Sequence, residues 1–234
     1  IKYEEKSLLA WINDYINNIS GVTRGGINTY KRNGWPVHVL YVYQLVHYNF
    51  AYNVLPVAFK WDFDAKSIIS SFGNEYRKLS STAKFILKIA CFIHDIGVQI
   101  AVNDHESLGV SLVEESYSML EVTSKDFANN GFQFSTKELI YILQVIVGNH
   151  QLINQVAAEV SDYMIYEKIC EIKNKAVSDN IKKFIFTEFS SVMYLLGASD
   201  MMAVDDSLLS EIKFDEISEA KEYIQRVIVT DDYI

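Results

Sequence analysis

The sequence predicts an all-α fold, a helical bundle of about seven to nine helices in a single domain. Apolar residues recur at spacings of three and four almost throughout the 234 residues, which is the period of amphipathic helices. No alternation of apolar and polar residues longer than four positions is convincing, although 226–230 is ambiguous. The 2 prolines and 10 glycines are too few for the frequent turns of a β-sandwich.

The first helices are read from their apolar stripes. Residues 8–19 form an N-terminal amphipathic helix, followed by a glycine-rich basic connector at 21–36, GVTRGGINTYKRNGWP. Pro36 marks the start of a long apolar helix that begins near His38, because proline is favoured in the first helical turn. A looser segment at 56–64 is a candidate insertion.

The later helices are placed by their start signals. Serine and aspartate side chains cap helix N-termini, and Ser135 with Glu138 three residues later forms a capping box. The last helix covers roughly 214–229. The predicted starts are, in order, Ser80, Asp104, Ser135, Ser178 and Phe214.

Composition excludes several classes of partner. The net charge is −9 and the pI about 5.0, whereas nucleic acid and anionic membranes bind basic surfaces. No apolar run approaches the roughly 20 residues of a membrane span. The acidic N-terminus does not resemble a signal peptide, and Cys91 and Cys170 read as reduced core thiols. We therefore expect a cytoplasmic protein that binds neither nucleic acid nor membrane.

Ionisable residues interrupt the apolar stripes at three places. His94 and Asp95, His150 and Asp200 each continue an apolar helix face. Burial of an unpaired carboxylate costs roughly several kcal/mol of folding free energy. Asp95 and Asp200 therefore need partners. Histidines and carboxylates that converge on a divalent cation would supply them.

Simpler explanations are available for each residue alone. A single histidine on an apolar face is more often a satisfied core residue. Asp95 could pair with Lys84 or Lys88, and Asp200 could cap a following turn. The joint pattern favours the metal, because four of the five histidines fall in the order His, His-Asp, His, His, Asp.

The segment 88–115, KIACFIHDIGVQIAVNDHESLGVSLVEE, resembles the signature of the HD-domain superfamily of metal-dependent phosphohydrolases. In that family an apolar helix ends in His-Asp, Ile-Gly follows, and His-Glu opens the next helix. The matching residues are His94, Asp95, Ile96, Gly97, His105, Glu106 and Gly109.

Other segments extend the resemblance. His38, with Val42 and Leu45 behind it, resembles the family's first ligand. Asp200, after Gly-Ala-Ser, resembles its last, and His150 resembles the extra histidine of the two-metal branches. The similarity covers about 30–205. It implies one HD-type domain over 1–234, with N- and C-terminal helices packed on that core.

His47 competes with His38 for the first position. The two lie nine residues apart, about two and a half turns, so they face opposite sides of one helix. We favour His38, which lies at the helix start beside the basic connector. His47 would then pack among Tyr43, Phe50 and Ala51.

The resemblance implies one or two divalent ions, with Mn, Fe, Mg, Co, Ni and Zn all open. The first ion would have the ligands His38, His94, Asp95 and Asp200. The second would have Asp95, as a bridge, with His105 and His150.

The implied reaction is hydrolysis of a phosphate ester or anhydride, with a nucleotide or related small molecule as substrate. Bound metal lowers the pKa of its water toward about 7. With one ion only, His105 or His150 could instead donate a proton to the leaving group. The expected catalytic residues are therefore Asp95, His105 and His150.

Substrate contacts are expected from the basic connector. Lys31 and Arg32 form the one local basic cluster near His38 and could meet phosphate, although a solvated loop is the alternative. Gln151 is a candidate polar contact beside His150. A homodimer stays open, because the aromatic residues, 13% of the chain, could line a dimer interface, a nucleotide pocket or simply the core.

Departures from the family leave alternatives. Val98 stands where many catalytic members have lysine, which favours a non-catalytic sensing or scaffold domain. The sequence at 149–151 is Asn-His-Gln, which argues against the cyclic di-GMP phosphodiesterases of the HD-GYP kind. HD-fold di-iron oxygenases use the same ligand order for a different reaction.

Overall fold

The computed structural model describes residues 35–56, 63–99, 103–115, 134–158, 162–204 and 212–230. The predicted helix at 8–19 and the connector that carries Lys31 and Arg32 lie outside these ranges. Within them every regular element is a helix. The prediction of an all-α bundle of about seven to nine helices is confirmed, because two of the ten α-helical segments in the described ranges join through a π-helical turn into one helix.

The helices follow one another with short connections in the described ranges. In the first half they are α1 (Trp35–Gln44), α2 (Phe63–Lys78), α3 (Ser81–Ile93), α4 (His105–Glu115) and α5 (Thr136–Val147). In the second half they are α6 (Leu152–Ala157), α7 (Asp162–Asn174), α8 (Asp179–Phe184), α9 (Ser190–Val204) and α10 (Phe214–Val229).

Three irregular helical turns modify this series. A π-helical turn, Leu45–Phe50, continues α1, and a second, Ile185–Phe189, joins α8 to α9 in one continuous helix. A 3₁₀ turn, Ile96–Gln99, follows α3. Periodicity alone does not reveal such turns, because they change the hydrogen-bond register over only one turn.

The three predicted serine caps are present. The Ser80 hydroxyl accepts a hydrogen bond from the backbone N–H of Ala83 at the start of α3. Ser135 and Glu138 form the complete capping box of α5. Ser178 caps α8 and also donates to a Glu138 carboxylate oxygen at 2.6 Å, so one glutamate connects two helix starts.

Two helices form the centre of the core. In α9, Met193, Leu195 and Leu196 have no exposed surface, and buried residues occur on every side, as expected of a helix surrounded by others. The C-terminal half of α3 is equally buried. Helix α1 packs on both α3 and α9, while α6 and α9 pack against α10.

Helix α4 is held by a close backbone approach. It packs against the 3₁₀ turn and against α5. A Cβ atom on Gly97 would lie 1.9 Å from the carbonyl oxygen of His105, and one on Gly109 would lie 2.6 Å from the Val147 side chain. At Gly97 the neighbour is backbone, so only glycine permits this distance, and Gly97 fixes where α4 begins.

The structure adds elements to the sequence prediction. Helix α2 starts at Phe63, inside the stretch read as a candidate insertion, and α6 and α7 were not predicted. The ambiguous residues 226–229 are helical. Cys91 is buried and Cys170 half-buried, both as free thiols. No helix in the described part of the chain is long and apolar enough to span a membrane.

Candidate metal centre

Six ionisable side chains meet in the core, although they are spread over more than 160 positions of sequence. Each has at most 8% of its surface exposed. They come from five places in the fold: the start of α1, the end of α3, the start of α4, the turn after α5, and α9. The six are His38, His94, Asp95, His105, His150 and Asp200.

One set, the four-ligand group, consists of His38, His94, Asp95 and Asp200. The Nε2 atoms of the two histidines are 3.3 Å apart. Asp200 Oδ1 lies 2.9 Å from His38 Nε2 and 3.5 Å from His94 Nε2. Asp95 Oδ2 lies 3.6 and 3.7 Å from the same two nitrogens. All four potential ligand atoms therefore face a common point.

The second set, the three-ligand group, consists of Asp95, His105 and His150. Its two Nε2 atoms are 3.2 Å apart. Asp95 Oδ1 lies 3.2 Å from His150 Nε2 and 3.5 Å from His105 Nε2. Asp95 thus directs one carboxylate oxygen at each histidine pair, so the two groups share one side chain.

Backbone carbonyls fix the orientation of three imidazole rings. A carbonyl oxygen only accepts hydrogen bonds, so each Nδ1 beside one carries the hydrogen. In the neutral ring the Nε2 lone pair then points into the cluster, as in metal-binding histidines. The pairs are His94 with Cys91 at 3.1 Å, His150 with Val147 at 2.7 Å, and His38 with Ala203 at 3.4 Å.

The donor set fits a divalent cation. Lone pairs on neighbouring Nε2 atoms and carboxylate oxygens repel one another at these distances unless a positive charge lies between them. Ligands about 2.1 Å from one ion lie about 3.0 Å apart in octahedral and about 3.4 Å apart in tetrahedral geometry. The observed separations of 2.9 to 3.7 Å match that spacing. The cluster could therefore hold a metal ion in each group.

The pKa of His150 shows the same preference for positive charge. Burial lowers the pKa of His150, but a hydrogen bond and the negative charge of Asp95, with Asp200 behind it, outweigh burial, and the pKa is raised. The surroundings of His150 therefore favour positive charge. The cluster's field favours a cation, whether a proton or a metal.

Helix ends of both polarities meet at the cluster. His94 and Asp95 lie at the C-terminus of α3, and His150 lies just past the C-terminus of α5. The last carbonyls of a helix carry partial negative charge. Helices α3 and α5 therefore end at the cluster with the polarity that stabilises a cation, whereas α1 and α4 begin there with the opposite polarity.

The other residues singled out in the sequence lie outside the two groups or outside the described residues. His47 belongs to neither group; its Nδ1 lies 2.9 Å from the Tyr76 hydroxyl and its ring packs on Tyr43. Gln151 places its amide nitrogen 3.4 Å from His105 Nε2. Val98 is buried. Lys31 and Arg32 lie outside the described residues.

Sequence reasoning did not identify the carbonyls that orient the rings. Cys91 and Val147 each stand three residues before a candidate ligand, which is a spacing that sequence could have suggested. Ala203 contacts His38 across 165 positions, and no local pattern could indicate that.

Comparison with protein-family models, with curated proteins and with solved structures finds no match. The class of protein is thus defined by fold and site: an all-α protein with a buried His/Asp cluster that could bind divalent metal, compatible with an HD domain.

Proposed function

We propose that this chain is a metal-dependent phosphohydrolase of the HD-domain type, acting on a phosphate ester or anhydride of a nucleotide or related small molecule. One observation carries the proposal. Asp95 directs its two oxygens at two separate histidine pairs, which is how a carboxylate holds two cations side by side. Two ions about 3.5–4 Å apart are typical of phosphoryl-transfer hydrolases.

The order of the six residues along the chain supports the HD assignment. They follow the sequence His, His-Asp, His, His, Asp that the resemblance implies, and they come from helices that meet at one point. On this proposal the chain is one HD-type domain over 1–234, and it works in the cytoplasm. Its partner is a small phosphorylated substrate.

When bound, divalent ions activate a water molecule and neutralise charge on the phosphoryl oxygens. The chain's own residues prepare that chemistry. Asp95 fixes the separation of the two metal positions. The carbonyls of Cys91 and Val147 hold the His94 and His150 rings in the orientation that directs their Nε2 atoms into the cluster. Burial of these groups excludes competing water and strengthens their electrostatic effect.

Substrate would approach the cluster at His105. Its side chain is 10% exposed, whereas those of His38, His94 and His150 are 0 to 1% exposed. With only the four-ligand group loaded, a protonated His105 or His150 would donate its proton to the leaving oxygen. Lys31, Arg32 and Gln151 are the proposed contacts to the substrate.

The same donors favour a second candidate, an iron-dependent oxygenase. Four imidazoles with two carboxylates form a nitrogen-rich set that suits iron as well as Mn, Co, Ni or Zn, and less so Mg. This candidate requires bound iron and consumption of oxygen. The hydrolase requires neither.

The test is a phosphoester assay with matched histidine variants. Purified protein is incubated with each metal and with phosphomonoesters, phosphodiesters and nucleotides, and released phosphate or nucleotide is measured. We expect metal-dependent release in the wild type and a loss of about a hundred-fold or more in His94→Gln, since a direct ligand matters more than an outer contact.

His47→Gln is the control. It makes the same change in a histidine outside the cluster, and we expect near wild-type activity. Full activity of His94→Gln, or activity that survives complete removal of metal, contradicts the proposal. Oxygen consumption by the iron-loaded protein, without phosphate release, replaces it with the oxygenase.

A further inference from the structure

The two groups of the cluster are unequal. The four-ligand group has two histidines and two carboxylates, whereas the three-ligand group has two histidines and only the shared oxygen of Asp95. A divalent cation is bound more tightly by more donors and by more negative charge. The described residues therefore provide one stronger and one weaker position.

Exposure follows the same division. The side chains of His38 and His94 have 0% exposure, and Asp200 has 6%. His105, in the three-ligand group, has the largest value of the six at 10%. An ion at the weaker position would also have the shorter path to solvent.

Gln151 stands next to the weaker position. It lies in the turn between α5 and α6, and its side chain is half-buried. Its amide nitrogen is 3.4 Å from His105 Nε2, an atom that also lies 3.2 Å from His150 Nε2. The amide therefore borders the space that a second ion would share with His105.

The two ends of the amide act in opposite ways. In the present orientation the –NH₂ group, which only donates, lies 3.4 Å from His105 Nε2, the nitrogen that an ion at this position needs as a ligand. Rotation of the amide about its last side-chain bond would present its carbonyl oxygen, which is a known ligand for hard cations. An ion that binds His105 must displace the amide nitrogen of Gln151 and then gains the amide oxygen as a ligand.

We propose that Gln151 is the adjustable fourth donor of the three-ligand group, and that it makes this position the weaker and exchangeable one of the pair. The proposal rests on the metal-binding part of the proposed function. It reassigns Gln151 from the substrate to the metal. The chain would then load in two steps, the four-ligand group first and the Gln151 side second.

The experiment is a Mn²⁺ titration of the metal-free protein, with free Mn²⁺ followed by electron paramagnetic resonance. Gln151→Glu adds a negative oxygen donor at this position and Gln151→Ala removes the donor. Gln155→Glu, one helical turn further along α6, makes the same charge change at a side chain that belongs to neither group. Circular dichroism checks that each variant is folded.

We expect two binding steps in the wild type. Gln151→Glu should tighten the weaker step about ten-fold or more and Gln151→Ala should weaken it by a similar factor, the range found for residues next to metal ligands. The tighter step should stay unchanged in all variants, and Gln155→Glu should match the wild type.

Two results overturn the inference and are distinguishable. Two steps that Gln151 variants leave unchanged, or that Gln155→Glu changes equally, refute the role of Gln151 and leave the metal centre intact. If no Mn²⁺, Zn²⁺ or Fe²⁺ binds the folded wild type, the inference and the proposed function both fail.

Discussion

Two histidines on one helix show how position decides a role. His38, in the first turn of α1, faces His94 and the α9 carbonyl of Ala203. His47, nine residues later in the π turn, faces Tyr43 and Tyr76 instead. Sequence spacing indicates that only one of them can reach the cluster. The neighbours that select His38 come from distant segments.

His47 makes stability depend on pH. Burial of its ring, with a smaller effect of Lys88, lowers the pKa of His47 to about 3. The unfolded chain takes up this proton below about pH 6.5 while the folded chain does not, so folding stability falls as pH drops, by about 1.4 kcal/mol per pH unit. His47→Phe removes this contribution.

The predicted difference is measurable by urea unfolding in EDTA at pH 7 and pH 5. Between these values the wild type should lose about 2 kcal/mol more than His47→Phe, by the same linkage. Equal losses in the two proteins would show that His47 is protonated in the folded state.

At the scale of elements, local chemistry accounts for what the sequence could predict. The starts of α3, α5 and α8 were predicted because a capping serine acts within its own turn. Helices α6 and α7 were missed because α6 is only six residues long and α7 mixes charged and apolar residues almost evenly, without a clear start signal. Tertiary contacts determine elements of this kind more than propensity does.

The contact between the 3₁₀ turn and α4 depends on Gly97. The alanine Cβ in Gly97→Ala would lie 1.9 Å from the backbone of His105 and 2.8 Å from that of Gly109. Backbone atoms, unlike a side chain, cannot move away by rotation. We expect a loss of about 3 kcal/mol in the free energy of unfolding, the upper range for overpacking, together with weaker metal binding at His105.

Gly148→Ala is the matched control. Its Cβ would meet chiefly the Val110 side chain, at 2.8 Å, which can rotate. Denaturant unfolding should therefore give less than half the loss. A cost for Gly97→Ala no larger than that of Gly148→Ala would mean that α4 can shift freely on the turn.

At the scale of the whole molecule, the cluster joins helices from both ends of the described chain. The sequence predicted the all-α fold and proposed the six cluster residues as a set, because each breaks an apolar stripe or fits the HD-like order. The HD resemblance also implied two groups that share Asp95. It could not give the contact of Gln151 with His105 or of His38 with the carbonyl of Ala203, since both depend on how separate segments pack.

Metal should therefore stabilise the entire fold. An ion at 100 times its dissociation constant adds about 2.7 kcal/mol, and about 2–4 °C per kcal/mol is usual for 150–250 residues. We expect Mn²⁺ or Zn²⁺ to raise Tm by about 5–10 °C above the value in EDTA. Asp95→Asn should show a much smaller rise. An equal rise in that variant would place the stabilising ion elsewhere.

The central claim is that the His/Asp cluster holds two metal ions. Its most direct test is elemental analysis of protein purified without a metal-affinity tag, before and after incubation with Mn, Fe or Zn. We predict about two ions per chain in the wild type and clearly fewer in Asp95→Ala, which removes the carboxylate that both groups share. A folded wild-type protein that retains no metal under any of these conditions would contradict the account.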